Sequence, residues 1–157
     1  FDIAQRIIEQ ATAKKLMIVL AESCTGGMIA AALTDIAGSS KVVERGLVTY
    51  SNQAKMDLLS VTEETLADYG AVSAETARAM AVGALINARR AGLALSVTGI
   101  AGPGGGSSEK PIGLVHFAVM RRDQIAQNEY HVFQGTRREV RHSALEVGLN
   151  LILNQLK

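Results

Sequence analysis

Residues 16–38 read LMIVLAESCTGGMIAAALTDIAG, and their pattern changes twice. LMIVLA (16–21) is a continuous apolar run of strand length, the pattern of a strand covered on both faces. ESCTGG (22–27) then turns the chain. From Met28 onward apolar residues return at helical spacing, which predicts Met28, Ala31, Ala32 and Ile36 on one inward face and Gly38 as the stop. A buried strand, a glycine turn and a helix form the repeating unit of an open α/β sheet.

The flanking sequence continues that rhythm. Upstream, Ile3, Ile7, Ile8 and Ala11 recur at helical spacing. Downstream, VVERGLVTYS (42–51) predicts a second strand, and NQAKMDLLS and TEETLADYG two short helices, the latter capped by Thr62 with Glu63 and Glu64 in its first turn. Ser73 caps an alanine-rich helix expected to run to about Arg90, and ALSVTG (94–99) predicts a third strand buried on both faces. GLVHFAVM and IAQNEYHVF, separated by the RRDQ turn, read as an antiparallel pair. Thr136 and Glu139 form a capping box for a last helix lined by Val140, Ala144, Val147 and Leu151. The expected fold is α/β, a three-layer α/β/α sandwich around a mixed, mostly parallel sheet, with residues 1–157 as one domain.

Composition limits the function classes. A hydrophobic content of 48%, a charged content of 20% and a net charge of +1 describe a globular protein with no general attraction to nucleic acid or membrane. The one cysteine excludes an internal disulfide and suits a reducing compartment, so a cytoplasmic location is expected. No apolar run reaches the ~20 residues of a membrane span, and the amphipathic opening FDIAQRIIEQ is no secretory signal. The opening at Phe1 rather than methionine leads us to expect that residues precede it.

Chemistry is expected where the first strand ends. Ser23, Cys24 and Thr25 lie at the carboxyl edge of the sheet, where open α/β folds bind ligands. Amide groups around Thr25, Gly26 and Gly27 could receive a phosphate or the oxyanion of an attacked carbonyl. Ser23 or Thr25 could equally serve only as a helix cap. A serine nucleophile needs a base. His116 and His131 lie in predicted strands and His142 in the last helix, none beside an evident orienting carboxylate. No His/Cys/Glu spacing matches a metal site. Lys55 remains, placed just after the second strand; it would have to be neutral to act, and the alternative is an ordinary solvated lysine. Cys24 ranks second as nucleophile and reads equally well as a small core residue.

The glycine-rich segment VTGIAGPGGGSSEKPIG (97–113) contains neither a dinucleotide fingerprint nor a triphosphate-binding loop. Ser107 and Lys110 have S-x-x-K spacing, but Pro111 denies that motif its helix. The last helix opens with Arg137 and Arg138, with Arg141 one turn on. Cations at the positive end of a helix are unfavourable, and a bound phosphate is the simplest partner beyond Glu139.

AESCTGG (21–27), IAGSS (36–40), ERGLVTYSNQAK (44–55), GAVS (70–73) and TGIAGPGGGS (98–107) closely resemble the CinA C-terminal domain family, the nicotinamide-mononucleotide amidohydrolases. The blocks span most of the chain in family order. The resemblance implies hydrolysis of the carboxamide of nicotinamide mononucleotide to nicotinic acid mononucleotide and ammonia, in pyridine nucleotide recycling. It implies Ser23 as nucleophile, Lys55 as base and Tyr50 beside them. It also implies that Thr98 and Arg137 belong to the site and that no metal is needed, and relatives suggest a homo-oligomer, a dimer; Thr25, Gly26, Gly27, Gly99, Gly102 and Arg141 are expected beside them as substrate contacts, with no cofactor. Gly104 stands where many relatives carry an acidic residue. A module that binds a nucleotide without turnover, and an amidase for another amide, are the competing expectations.

Overall fold

The computed structural model describes residues 2–157. Helix α1 (Asp2–Lys14) precedes β1 (Ile18–Glu22), followed by α2 (Met28–Thr34), a 3-10 turn at 39–41, and β2 (Val43–Val48). Three helices follow, α3 (Asn52–Leu59), α4 (Glu63–Tyr69) and α5 (Ala74–Asn87), then β3 (Leu93–Gly99), β4 (Leu114–Arg121), β5 (Gln127–Val132) and α6 (Arg137–Gln155). The five strands form one sheet in the order β2-β1-β3-β4-β5. β1 runs parallel to β2 and β3, while β4 and β5 join as an antiparallel pair.

Each face of the sheet carries its own core. On one side Ile7, Ile8 and Ala11 of α1, Ile29 and Leu33 of α2, and Val140, Ala144 and Ile152 of α6 pack on Ile18, Leu20, Leu95 and Phe117. On the other, Ala77, Met80, Ala81 and Ala84 of α5, with Leu59 and Val61, cover Val19, Ala21, Ala94 and Ala118. The small residues of α5 allow close approach, and Gly83 shows how close. A Cβ there would sit 1.8 Å from the Leu59 carbonyl oxygen, so α3 and α5 touch backbone to side-chainless backbone.

Two expectations about element detail are corrected. In α2 the buried residues are Ile29 and Leu33, while Ala31 is exposed and Met28, Ala32 and Ile36 are half-buried. The helix begins only after Gly27, in the left-handed conformation with φ 102°, and its seven residues hand the core to the two large aliphatics. Helix α5 ends at Asn87 rather than near Arg90. Arg122, from the turn after β4, donates to the carbonyls of Leu85, Ala88 and Ala91 and so stops the helix from outside.

The caps match their chemistry. Thr62 accepts from the Thr65 amide, Ser73 from the Thr76 amide, and Thr136 and Glu139 complete a reciprocal capping box. The parallel pairing places the carboxyl ends of β1, β2 and β3 side by side, and all three connect onward through loops at that edge.

Candidate active site

Register alone brings three chain segments together. Glu22, the last residue of β1, pairs with Val48 on one side and Val97 on the other. The ladder runs one step further, with the Ser23 amide donating to the Val97 carbonyl and the Thr49 amide to the Glu22 carbonyl. Ser23 therefore leaves the sheet between Thr49-Tyr50 and Thr98-Gly99. A cleft of about 270 Å³ opens there, lined by Ser23, Cys24, Tyr50, Lys55, Thr98, Gly99, Gly102 and Arg137 among the residues expected from the sequence. Asn52, Ala71, Val72 and Ile100 also line it and were not singled out from the sequence. For Ala71 and Val72 the available signal was the block GAVS.

Lys55 sits in the first turns of α3, whose N-cap Ser51 accepts from the Ala54 amide and fixes the helix directly after β2. Its side chain is 1% exposed, and its amine lies 3.0 Å from Ser23 Oγ, 2.9 Å from the Thr49 carbonyl and 3.1 Å from the Tyr50 carbonyl. Burial pushes the Lys55 pKa below the usual lysine value. The three partners differ in kind. The two carbonyls can only accept, so they take two N–H bonds, whereas the serine hydroxyl can accept or donate. A neutral amine holding both carbonyls has its lone pair left for Ser23. The hydroxyl's other neighbour is the Tyr50 carbonyl, at 3.4 Å.

The Tyr50 side chain takes a different part from its main chain. Its carbonyl belongs to the Ser23–Lys55 group, while its hydroxyl accepts from Arg137 Nη2 at 2.8 Å and its ring is largely exposed. Arg137 Nη1 donates to the Gly102 carbonyl at 2.7 Å, joining the rim of the cleft to the glycine loop. Thr98, buried at the cleft floor, donates to the Ala71 carbonyl. Cys24 is buried beside Ser23, and burial pushes its thiol up to about 11, so it is protonated at neutral pH.

A residue absent from the expected set organises the turn. Glu22 is 1% exposed, and its carboxylate accepts from the Thr25 hydroxyl at 2.6 Å and from the amides of Gly27, Ile29 and Ala30 at 3.2, 3.1 and 2.9 Å. The start of α2 is thus occupied by the protein's own anion. The Gly27 amide is committed there, and the Gly26 amide donates to the Ser23 carbonyl. Among the described residues, the amides of Cys24 and Thr25 are those of the turn without an acceptor in another residue, the Cys24 amide facing only its own thiol. A lone carboxylate ending an apolar run was the only sequence signal for Glu22.

The remaining candidates lie apart from the cleft. Arg141 donates from Nε to the Cys24 carbonyl at 3.0 Å and from Nη2 to the Thr25 carbonyl at 3.3 Å, on the side facing α6. With Met28, Arg137, Arg138 and His142 it lines a separate basic groove. Of the arginines at the start of α6, Arg137 and Arg141 find backbone carbonyls and a tyrosine hydroxyl as partners within the protein. His131 does face a carboxylate, Glu129, at 2.6 Å, but both are on β5, three strand positions from β1. Ser107 and Lys110 close a small turn before Pro111, and Lys110 reaches the Tyr69 carbonyl. Among the described residues no helix is long and apolar enough to cross a membrane.

The family model described as CinA C-terminal domain matches residues 1–156. A nicotinamide-nucleotide amidohydrolase, PncC, of Escherichia coli K12 is 46% identical over 98% of this chain and 93% of its own length. A competence-damage inducible protein of Caldicellulosiruptor bescii is 47% identical over 96% of this chain, which spans only 36% of that longer protein. The crystal structure of the competence/damage inducible protein CihA from Agrobacterium tumefaciens superposes with a TM-score of 0.95 at 52% identity, covering 98% of this chain and 94% of that one. With sequence, order of blocks and sheet architecture in agreement, the chain belongs to the CinA C-terminal domain family.

Proposed function

We propose that this protein hydrolyses the carboxamide of nicotinamide mononucleotide, giving nicotinic acid mononucleotide and ammonia, in pyridine nucleotide recycling. The observation that carries the reading is the buried amine of Lys55, 3.0 Å from Ser23 Oγ with two carbonyls holding its other hydrogens. Similarity to proteins named nicotinamide-nucleotide amidohydrolases supports the choice of substrate.

In the reaction, neutral Lys55 accepts the Ser23 proton as Oγ bonds to the carboxamide carbon. The tetrahedral oxyanion is received by the amides of Cys24 and Thr25, the donors of the turn not already engaged. Collapse breaks the C–N bond, and the Lys55 ammonium gives its proton to the leaving nitrogen, which departs as ammonia. Water then attacks the acyl-enzyme, Lys55 takes a proton from it, and the carboxylic acid leaves as Ser23 regains its proton. Arg137 stands at the rim as the cation for the 5′-phosphate, and Thr98, Gly99 and Gly102 shape the wall for the pyridine ribonucleoside.

The test is release of ammonia from nicotinamide mononucleotide by the purified chain. Turnover is expected in the wild type and in Cys24→Ala, and not in Ser23→Ala. Binding without ammonia release by the wild type would sink the proposal in favour of a nucleotide-binding module.

A further inference from the structure

We infer that Arg141 is a positioning residue that makes the Ser23 turn a strong oxyanion receptor, acting through the peptide groups and not through the substrate. The inference rests on the amide-hydrolysis reading above and adds a residue to it.

Consecutive peptide units connect the guanidinium to the Cys24 and Thr25 amides. The guanidinium Nε donates to the Cys24 carbonyl at 3.0 Å. That carbonyl shares its planar, trans peptide with the Thr25 amide, so the amide points to the opposite side from α6 and is polarised by the charge. Nη2 donates to the Thr25 carbonyl at 3.3 Å, whose peptide carries the Gly26 amide. The Gly26 amide in turn donates to the Ser23 carbonyl at 3.0 Å, whose peptide carries the Cys24 amide. One guanidinium thus polarises both unengaged amides of the turn, Thr25 directly and Cys24 through one relay. Hydrogen bonds in such chains strengthen one another where water is excluded.

Two further features fit this placement. Gly26 has φ +58°, and a Cβ on it would lie 3.3 Å from Arg141 Nη2, so the side chain lies directly over the glycine. Glu22 holds the next stretch of the turn from the other direction through the Gly27, Ile29 and Ala30 amides. The turn is gripped at its carbonyls by a cation and at its later amides by an anion. The amides left between the two grips are those of Cys24 and Thr25.

The experiment compares steady-state kinetics of Arg141→Ala and Arg141→Lys on nicotinamide mononucleotide and on nicotinamide riboside, which lacks the phosphate. Thermal unfolding of each variant is recorded alongside. Arg141→Ala is expected to lower kcat by ~10- to 100-fold on both substrates, with KM within about twofold, as when an oxyanion contact is weakened. Arg141→Lys, able to reach one carbonyl, should recover part of that loss, and the recovery should not follow the melting temperature. Gly26→Ala, which crowds the guanidinium, should lower kcat in the same sense and serves if Arg141→Ala does not fold. A rise in KM confined to the phosphorylated substrate would make Arg141 a phosphate contact and overturn the inference, as would an unchanged kcat. Ser23→Ala measured in parallel separates the two levels: turnover retained there removes the proposed hydrolysis itself, and turnover lost there with a normal Arg141→Ala removes only the role of Arg141.

Discussion

Glu22 and Lys55 are two ionisable side chains, each 1% exposed, one ending β1 and the other in α3, the helix that follows its parallel neighbour β2. Their surroundings differ in one respect. The partners of Glu22 are three backbone amides, which can only donate, and the buried Thr25 hydroxyl, which donates to it, so the carboxylate is complete as it stands. Two partners of Lys55 are fixed acceptors, and the third is a hydroxyl able to exchange a proton with it. A buried charge whose partners are all backbone or structural holds a turn in place. A buried ionisable group with one partner able to exchange a proton is equipped for chemistry.

The two residues should therefore fail differently when changed. Ser23→Ala removes the reactive partner, and ammonia release is expected to fall by ~10⁴-fold or more while the melting temperature stays within a few degrees of the wild type. Lys55→Met should cost ~10²–10⁴-fold in kcat by removing the proposed base, with the protein still folded. Glu22→Leu should act first on stability. It strands the Gly27, Ile29 and Ala30 amides, at a cost of about 3 kcal/mol, measured by urea unfolding. A Glu22→Leu protein as stable as wild type but inactive would place the carboxylate in the chemistry and erase the distinction.

Titration probes the same contrast more gently. In the proposed mechanism Lys55 works when neutral, and burial lowers its pKa from the ordinary ~10.4, so kcat/KM should rise with pH and level off below the lysine range. Folding has the same sign, because the unfolded chain holds the lysine proton more tightly than the folded one. Wild type should gain stability relative to Lys55→Met as pH climbs from the folded pKa towards ~10.4. A difference that stays flat over that interval would mean that the amine is not desolvated. The smallest effect is expected for Tyr50→Phe, a few-fold in KM, since its hydroxyl only steadies Arg137 at the rim.

Element order and the position of the cleft were readable because they rest on periodicity and on the rule that parallel strands present their carboxyl ends together. That Ser23 and Lys55 meet follows from β1 and β2 being parallel neighbours, one residue closing its strand and the other opening the helix after the next. Features set by distant partners were not readable. The end of α5 is decided by Arg122, 34 positions beyond Ala88, and no local pattern encodes it. Arg141 reaches a turn 117 positions away, and its carbonyl partners there have no signal along the sequence. Glu22 was overlooked because its amide partners lie on the far side of a glycine turn, where periodicity is blind.

The protonated sulfur of Cys24 bears on how the protein can be inhibited. Thiol-directed warheads such as iodoacetamide or maleimide need a thiolate and an open approach, and this thiol, 5% exposed with its pKa pushed up to about 11, offers neither. If Ser23 is the nucleophile proposed above, boronates and carbamates, which seek an activated alcohol, should inhibit where thiol reagents do not. The same sheltering should let the protein be handled in air, without reductants, for long assays.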